Sequence, residues 1–226
     1  LGTPLQHMDT MDYSLKEVLK TQHPSVVVAE IYWDVMDEKF EMKQANSFFE
    51  VLNDPEVKKE YIKEVFPINE KVKYSILPIR FQQDYFAYEG SQIEKRLEEK
   101  YGVYKPQGEV QNGVEKYASK GYVYCDYNML ESEFDETNQY KGFDGKDWTF
   151  DSTQKKWLQK TIDLCKEENI EIIFVTAPIA NVSMDYIKNY NVIHDTIADF
   201  AEKNDVKYFD INLYCYENNI LTNDNF

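Results

Sequence analysis

The chain has 226 residues, and its 25 Lys and Arg against 41 Asp and Glu give a formal net charge of −16. That balance leaves no global basic footprint, which argues against a nucleic-acid binder, since phosphate contacts need clustered Lys and Arg, and against docking by charge on an anionic membrane face. An apolar fraction of 42%, with 15% aromatics, is enough to build a core and excludes a disordered chain.

Residues 12–20 carry Tyr13, Leu15, Val18 and Leu19 at helical spacing, with Asp9 or Asp12 available as N-cap, and predict a short amphipathic helix. His23-Pro24 ends it, because the residue before a proline is driven out of the helical region. The β-branched run Ser25 to Tyr32 follows. An unbroken apolar run of this kind predicts a central strand of a parallel sheet, with Val26 to Ile31 buried on both faces.

The middle, 38–150, breaks the rhythm. It holds helical pieces at 43–52, 56–65 and 91–100, scattered aromatics, and no run that reads as a central parallel strand. The last third is clearer. Trp157, Leu158, Thr161, Ile162, Leu164 and Cys165 share a helical face behind a cap at Asp151 or Ser152. Ile170 to Thr176 reads as a buried strand stopped by Ala177-Pro178. Tyr186, Tyr190, Ile193, Ile197, Phe200 and Ala201 give a further helix, and Val206 to Ile211 a third strand. Strand, helix and strand with short joints predict a right-handed βαβ unit. The expected architecture is α/β, a three-layer flavodoxin-like sandwich with a parallel sheet, formed by residues 1–37 and 151–226. Residues 38–150 are expected to be an inserted, mostly helical subdomain.

Cys125, Cys165 and Cys215 lie far apart with no CxxC and no Cys/His cluster, so neither a zinc site nor a disulfide framework is expected. Cys165 and Cys215 read as small core residues. Asp144, Asp147 and Asp151 surround Gly145 without calcium-loop spacing and read as a solvated acidic loop. No glycine-rich loop precedes a helix, and no metal or cofactor is expected. There is no Gly-x-Ser-x-Gly elbow, and His194, one of three histidines, is expected to cap or hydrogen-bond locally. In an open parallel sheet, ligands sit beyond the carboxyl ends of the strands. Those ends are Tyr32-Trp33-Asp34, Thr176-Ala177-Pro178 and Asp210-Ile211-Asn212. Tyr32 and Trp33 beside an Asp either line a pocket for a sugar or acyl group or pack beneath the inserted subdomain.

The order Leu1-Gly2-Thr3-Pro4, helix, Pro24 to Tyr32, then Val175-Thr176-Ala177-Pro178 and Tyr208-Phe209-Asp210, resembles the SGNH (GDSL-like) hydrolase superfamily. The nearest likeness is its bacterial cell-envelope branch, which includes the D-alanyl transfer protein and the alginate-type O-acetyltransferases. That branch shares a long helical insertion and a Lys-Gly-Tyr turn, matched by Ser75 to Tyr88 and by Lys120-Gly121-Tyr122. The resemblance covers nearly the whole chain through an order of weak motifs. It implies an acyl-ester hydrolase or O-acyltransferase acting on a cell-envelope glycan, with a Ser-His-Asp triad and no metal. It also implies that the Gly-x-Ser block lies before residue 1 and the Asp-x-x-His block after Phe226.

On this likeness, Gly2 matches the oxyanion-hole glycine, while Ile31 to Asp34 lacks the family's Asn. Tyr32, Trp33, Asp34, Thr176, Pro178 and Asn225 are the expected binding residues. The chain is accordingly expected to be an inactive portion of a longer, extracytoplasmic, membrane-anchored protein. Its expected partners are a cell-envelope glycan or an acyl-carrying membrane protein. The competing expectation is a non-catalytic extracytoplasmic binding or scaffold module on a degenerate form of the same fold.

Overall fold

The computed structural model describes residues 6–76, 110–112, 115–119, 122–125, 134 and 138–222. In chain order the elements are α1 (Met8–Leu19), β1 (Val26–Glu30), α2 (Trp33–Met36), α3 (Met42–Val51), α4 (Pro55–Val65) and α5 (Ile68–Ser75). They continue with β2 (Val110–Asn112), β3 (Glu115–Ser119), β4 (Tyr122–Cys125), α6 (Ser152–Glu167), β5 (Glu171–Thr176), α7 (Asn181–Met184), α8 (Tyr190–Lys203), β6 (Lys207–Asp210) and α9 (Ile211–Glu217). Two compact units divide the chain: Lys58–Asn128 forms the body of the smaller, and Thr3–Val57 with Met129–Phe226 the larger.

The larger unit is α/β. Its sheet has the order β1-β5-β6 and is wholly parallel, with Val26 opposite Glu171 and Glu30 opposite Val175, then Ile173 opposite Lys207 and Thr176 opposite Asp210. Helix α6 begins where the Asp151 carboxylate accepts the N–H groups of Thr153 and Gln154. It buries Trp157, Leu158, Ile162 and Cys165 and ends at Glu167, and Asn169, with φ of 58°, then turns the chain into β5. Helices α1 and α6 pack together, with Tyr13 and Trp157 5.7 Å apart at the ring centres. Asp9 and Asp12 do not cap α1. Both are buried inside it, Asp12 is paired with Lys16 at 3.1 Å, and the helix starts one residue after His7, where the Met8 N–H donates to Gln154.

Strand β1 departs from the sequence reading. Among the described residues it is an edge strand, not a central one, and its exposed side chains alternate with covered ones. Val27, Ala29 and Ile31 share a face with Ile172 and Phe174, where the buried side chains lie. Val26, Val28 and Phe209 lie on the opposite face, Val28 exposed to 65% and Phe209 to 54%. β-branched composition makes this segment a strand, but burial on the second face depends on what covers it, and the described residues cover it only in part, leaving Ile173 and Val175 half-buried.

Within the smaller unit, Phe66 packs edge-on against Tyr61 at 5.6 Å and Tyr74 at 4.7 Å, fastening α4 to α5. The same unit contains an antiparallel sheet, β2-β3-β4. Helix α3 and residues 138–150, read from sequence as part of the insertion, belong with the larger unit. The Trp148 indole donates to the Trp33 carbonyl and the Asp151 N–H to that of Met36.

Candidate functional site at the carboxyl edge of the sheet

All three strands of the parallel sheet end at one edge. After β1, Ile31 is buried and donates its N–H to Val175 at 2.8 Å, which fixes the start of α2. Trp33 follows and is 1% exposed. Its ring is enclosed by Phe143 at 5.1 Å, Tyr140 at 5.5 Å and Tyr190 at 6.0 Å. Trp33 therefore packs as core, and a ligand at this edge meets the residues around it. Tyr32 and Asp34 remain partly open. The Tyr32 hydroxyl lies 2.8 Å from that of Tyr140, accepts from Gln139 at 3.1 Å and approaches Asp34 at 3.4 Å. Burial raises the Asp34 carboxyl above the usual carboxylate range, helped by the charges of Glu38 and Asp37.

Thr176 ends β5 and is buried. Its hydroxyl donates to the Ile31 carbonyl at 3.2 Å and lies 2.9 Å from the Tyr208 hydroxyl. Pro178 shapes the exit from the strand, and the next residue, Ile179, donates its N–H to the buried Asn212 side chain. Thus Tyr32, Trp33, Asp34 and Thr176 share one edge, with Pro178 on the turn that leaves it. Gly2 and Asn225 lie outside the described residues.

A second network, unread in the sequence, closes this edge. The Asp210 side chain, 2% exposed, accepts from the Tyr190 hydroxyl at 3.1 Å, the Tyr208 hydroxyl at 3.2 Å and the Leu213 N–H at 2.9 Å, and lies 2.8 Å from His194 Nδ1. Burial, reinforced by the Asp210 charge, pushes both phenols above the ordinary tyrosine value, so they stay protonated and donate. A carboxylate on Nδ1 places the neutral ring's proton there and leaves Nε2 as the basic nitrogen of a half-buried imidazole. Tyr190 and His194 are four residues apart on α8, and Tyr208 and Asp210 two apart on β6. Both spacings put a pair on one face, a signal present in the sequence once Asp210 is assigned to a strand end.

The edge offers hydroxyl, carboxylate and imidazole groups to a hydroxyl-rich ligand. Among the described residues, no hydroxyl or thiol is hydrogen-bonded to His194 as a nucleophile would be, and no three His, Cys, Asp or Glu side chains gather as metal ligands. In the 144–151 loop, Asp144 accepts from the Lys146 N–H and from Asn189, and Asp151 caps α6. No family model, curated protein or solved structure matches the chain.

Proposed function

We propose that the chain supplies the strand-end wall of an SGNH-type site at which an acyl ester of a cell-envelope glycan is hydrolysed or transferred. The observation that carries this reading is the meeting of Tyr32, Asp34 and Thr176 at the carboxyl edge of a parallel sheet, where such folds bind ligands. Tyr32 and Asp34 would hold sugar hydroxyls, while Trp33 and Thr176 form the floor. In this reading Gly2 donates its N–H to the oxyanion, and the Ser, Asp and His of the triad come from a longer protein, extracytoplasmic and membrane-anchored. The exposed apolar face carrying Val28 and Phe209 supports a third layer there, as parallel sheets are normally covered on both sides. The smaller unit, Lys58–Asn128, would be the subdomain inserted between the sheet strands.

The test is esterase assay of two proteins. Residues 1–226 should show no turnover of p-nitrophenyl acetate above buffer. A chain extended to include Gly-x-Ser upstream and Asp-x-x-His downstream should turn it over and lose activity with a serine-directed phosphonate. Titratable hydrolysis by the 226 residues alone would overturn the assignment. The second reading, a non-catalytic extracytoplasmic binding module, is favoured by the missing Asn after β1, where Ile31 to Asp34 stands. It predicts that the extended chain binds an acetylated oligosaccharide without turnover.

A further inference from the structure

Among the described residues β6 is the other edge of the parallel sheet, and its open side is not flat. In the parallel ladder, alternate residues turn their backbone groups toward the neighbouring strand. With Phe174 opposite Tyr208, that alternation directs the N–H and C=O of Tyr208 away from β5. Along this side runs an open groove of about 710 Å³ between β6 and the flank of α8. Tyr208 and Lys207 line it from the strand, His194, Asp199, Glu202 and Asp205 from the helix and the turn that follows, and at the amino end of β6 it reaches Glu171 at the start of β5. Lys207 is already paired with Glu171 at 2.7 Å. Asp199, Glu202 and Asp205 make no ion pair among the described residues, so the groove presents uncompensated negative charge beside an unpaired strand edge.

We propose that this groove receives an extended peptide as a fourth strand on β6, with Lys or Arg at alternate positions. The alternation follows from the pleat. Side chains of the added strand on the Tyr208 side face α8, where the carboxylates are. Those between them fall on the Phe209 side, which is apolar and exposed to 54%. The fitting segment therefore alternates basic and apolar residues. Its main chain supplies the hydrogen bonds, and the carboxylates set its charge. This site lies along the strand edge and does not depend on the acyl-ester reading.

The probe is a fluorescent decapeptide of alternating Lys and Val, titrated against the 226-residue chain by anisotropy. Binding is expected, weakening as salt is raised, with the Tyr208 amide gaining protection from hydrogen exchange. The same peptide N-methylated at alternate residues should bind at least about tenfold more weakly, because it cannot pair with a strand edge. An alternating Glu and Val peptide should not bind. The double variant Asp199→Lys, Glu202→Lys should lose at least about tenfold in affinity with its thermal melt not lowered, both side chains being exposed. Equal affinity for the N-methylated peptide, no change at Tyr208, or no binding of the Lys-Val peptide would each overturn the proposal.

Discussion

Asp34 sits where ionisation works against folding. Its pKa is raised, first by burial and then by Glu38, so the folded chain holds the proton more tightly than the unfolded one. The contribution to stability is complete below the usual carboxylate range and is lost as pH rises through the raised value. Asp34→Asn, which cannot ionise, should melt higher than the parent at neutral pH. The difference should close near about pH 3, where the parent's carboxyl is protonated. Melting curves across that window check it, and a neutral-pH loss that persists in acid would contradict it. The thiols offer a second test. Burial, with the Asp12 charge nearby, pushes the Cys165 thiol up to about 11, and Cys215 is also buried, whereas Cys125 is exposed. An aromatic disulfide reagent should titrate one thiol quickly in the native chain and the other two only on unfolding.

At the scale of elements, the two faces of the parallel sheet should respond in opposite ways. Val28→Asp places a carboxylate on the exposed face and should change the melting free energy by less than about 0.5 kcal/mol. Phe174→Ala empties a fully buried position on the covered face of the central strand and should cost about 3–5 kcal/mol. Denaturant titration of both variants checks the assignment of faces; a Val28→Asp variant that fails to fold would mean that this face is covered in the native protein. The strap from residue 143 to 145 onto the start of α8 is equally specific. Gly145 donates its N–H to Lys188 at 2.7 Å, and a Cβ there would stand 2.4 Å from the Asn189 carbonyl oxygen. Because backbone and not a flexible side chain is met, Gly145→Ala should cost about 1–3 kcal/mol, read from the same titration. Asn189, with φ 53°, already holds the left-handed turn that opens α8, so the strap has little freedom to move aside.

For the molecule as a whole, a net charge of −16 implies self-repulsion in the compact state. Added sodium chloride should raise the melting temperature steadily through the screening range; a fall would show that attractive pairs such as Lys207–Glu171 dominate instead. Legible in the sequence were the βαβ unit of the last third, a helix start at Asp151 or Ser152, of which the structure picks Asp151, and the placement of Tyr32, Asp34 and Thr176 at strand ends. These rest on local chemistry: periodicity, turn residues and a carboxylate two or three residues from the N–H groups that it receives. Folding had to show that β1 is an edge among the described residues, that Trp33 is closed in by Tyr140, Phe143 and Tyr190, and that His194 meets Asp210 sixteen residues away. The same Val-rich run fits a central or an edge strand, and the same Trp a pocket or a core. Burial belongs to the neighbours a side chain acquires on folding, and those neighbours come from distant parts of the chain.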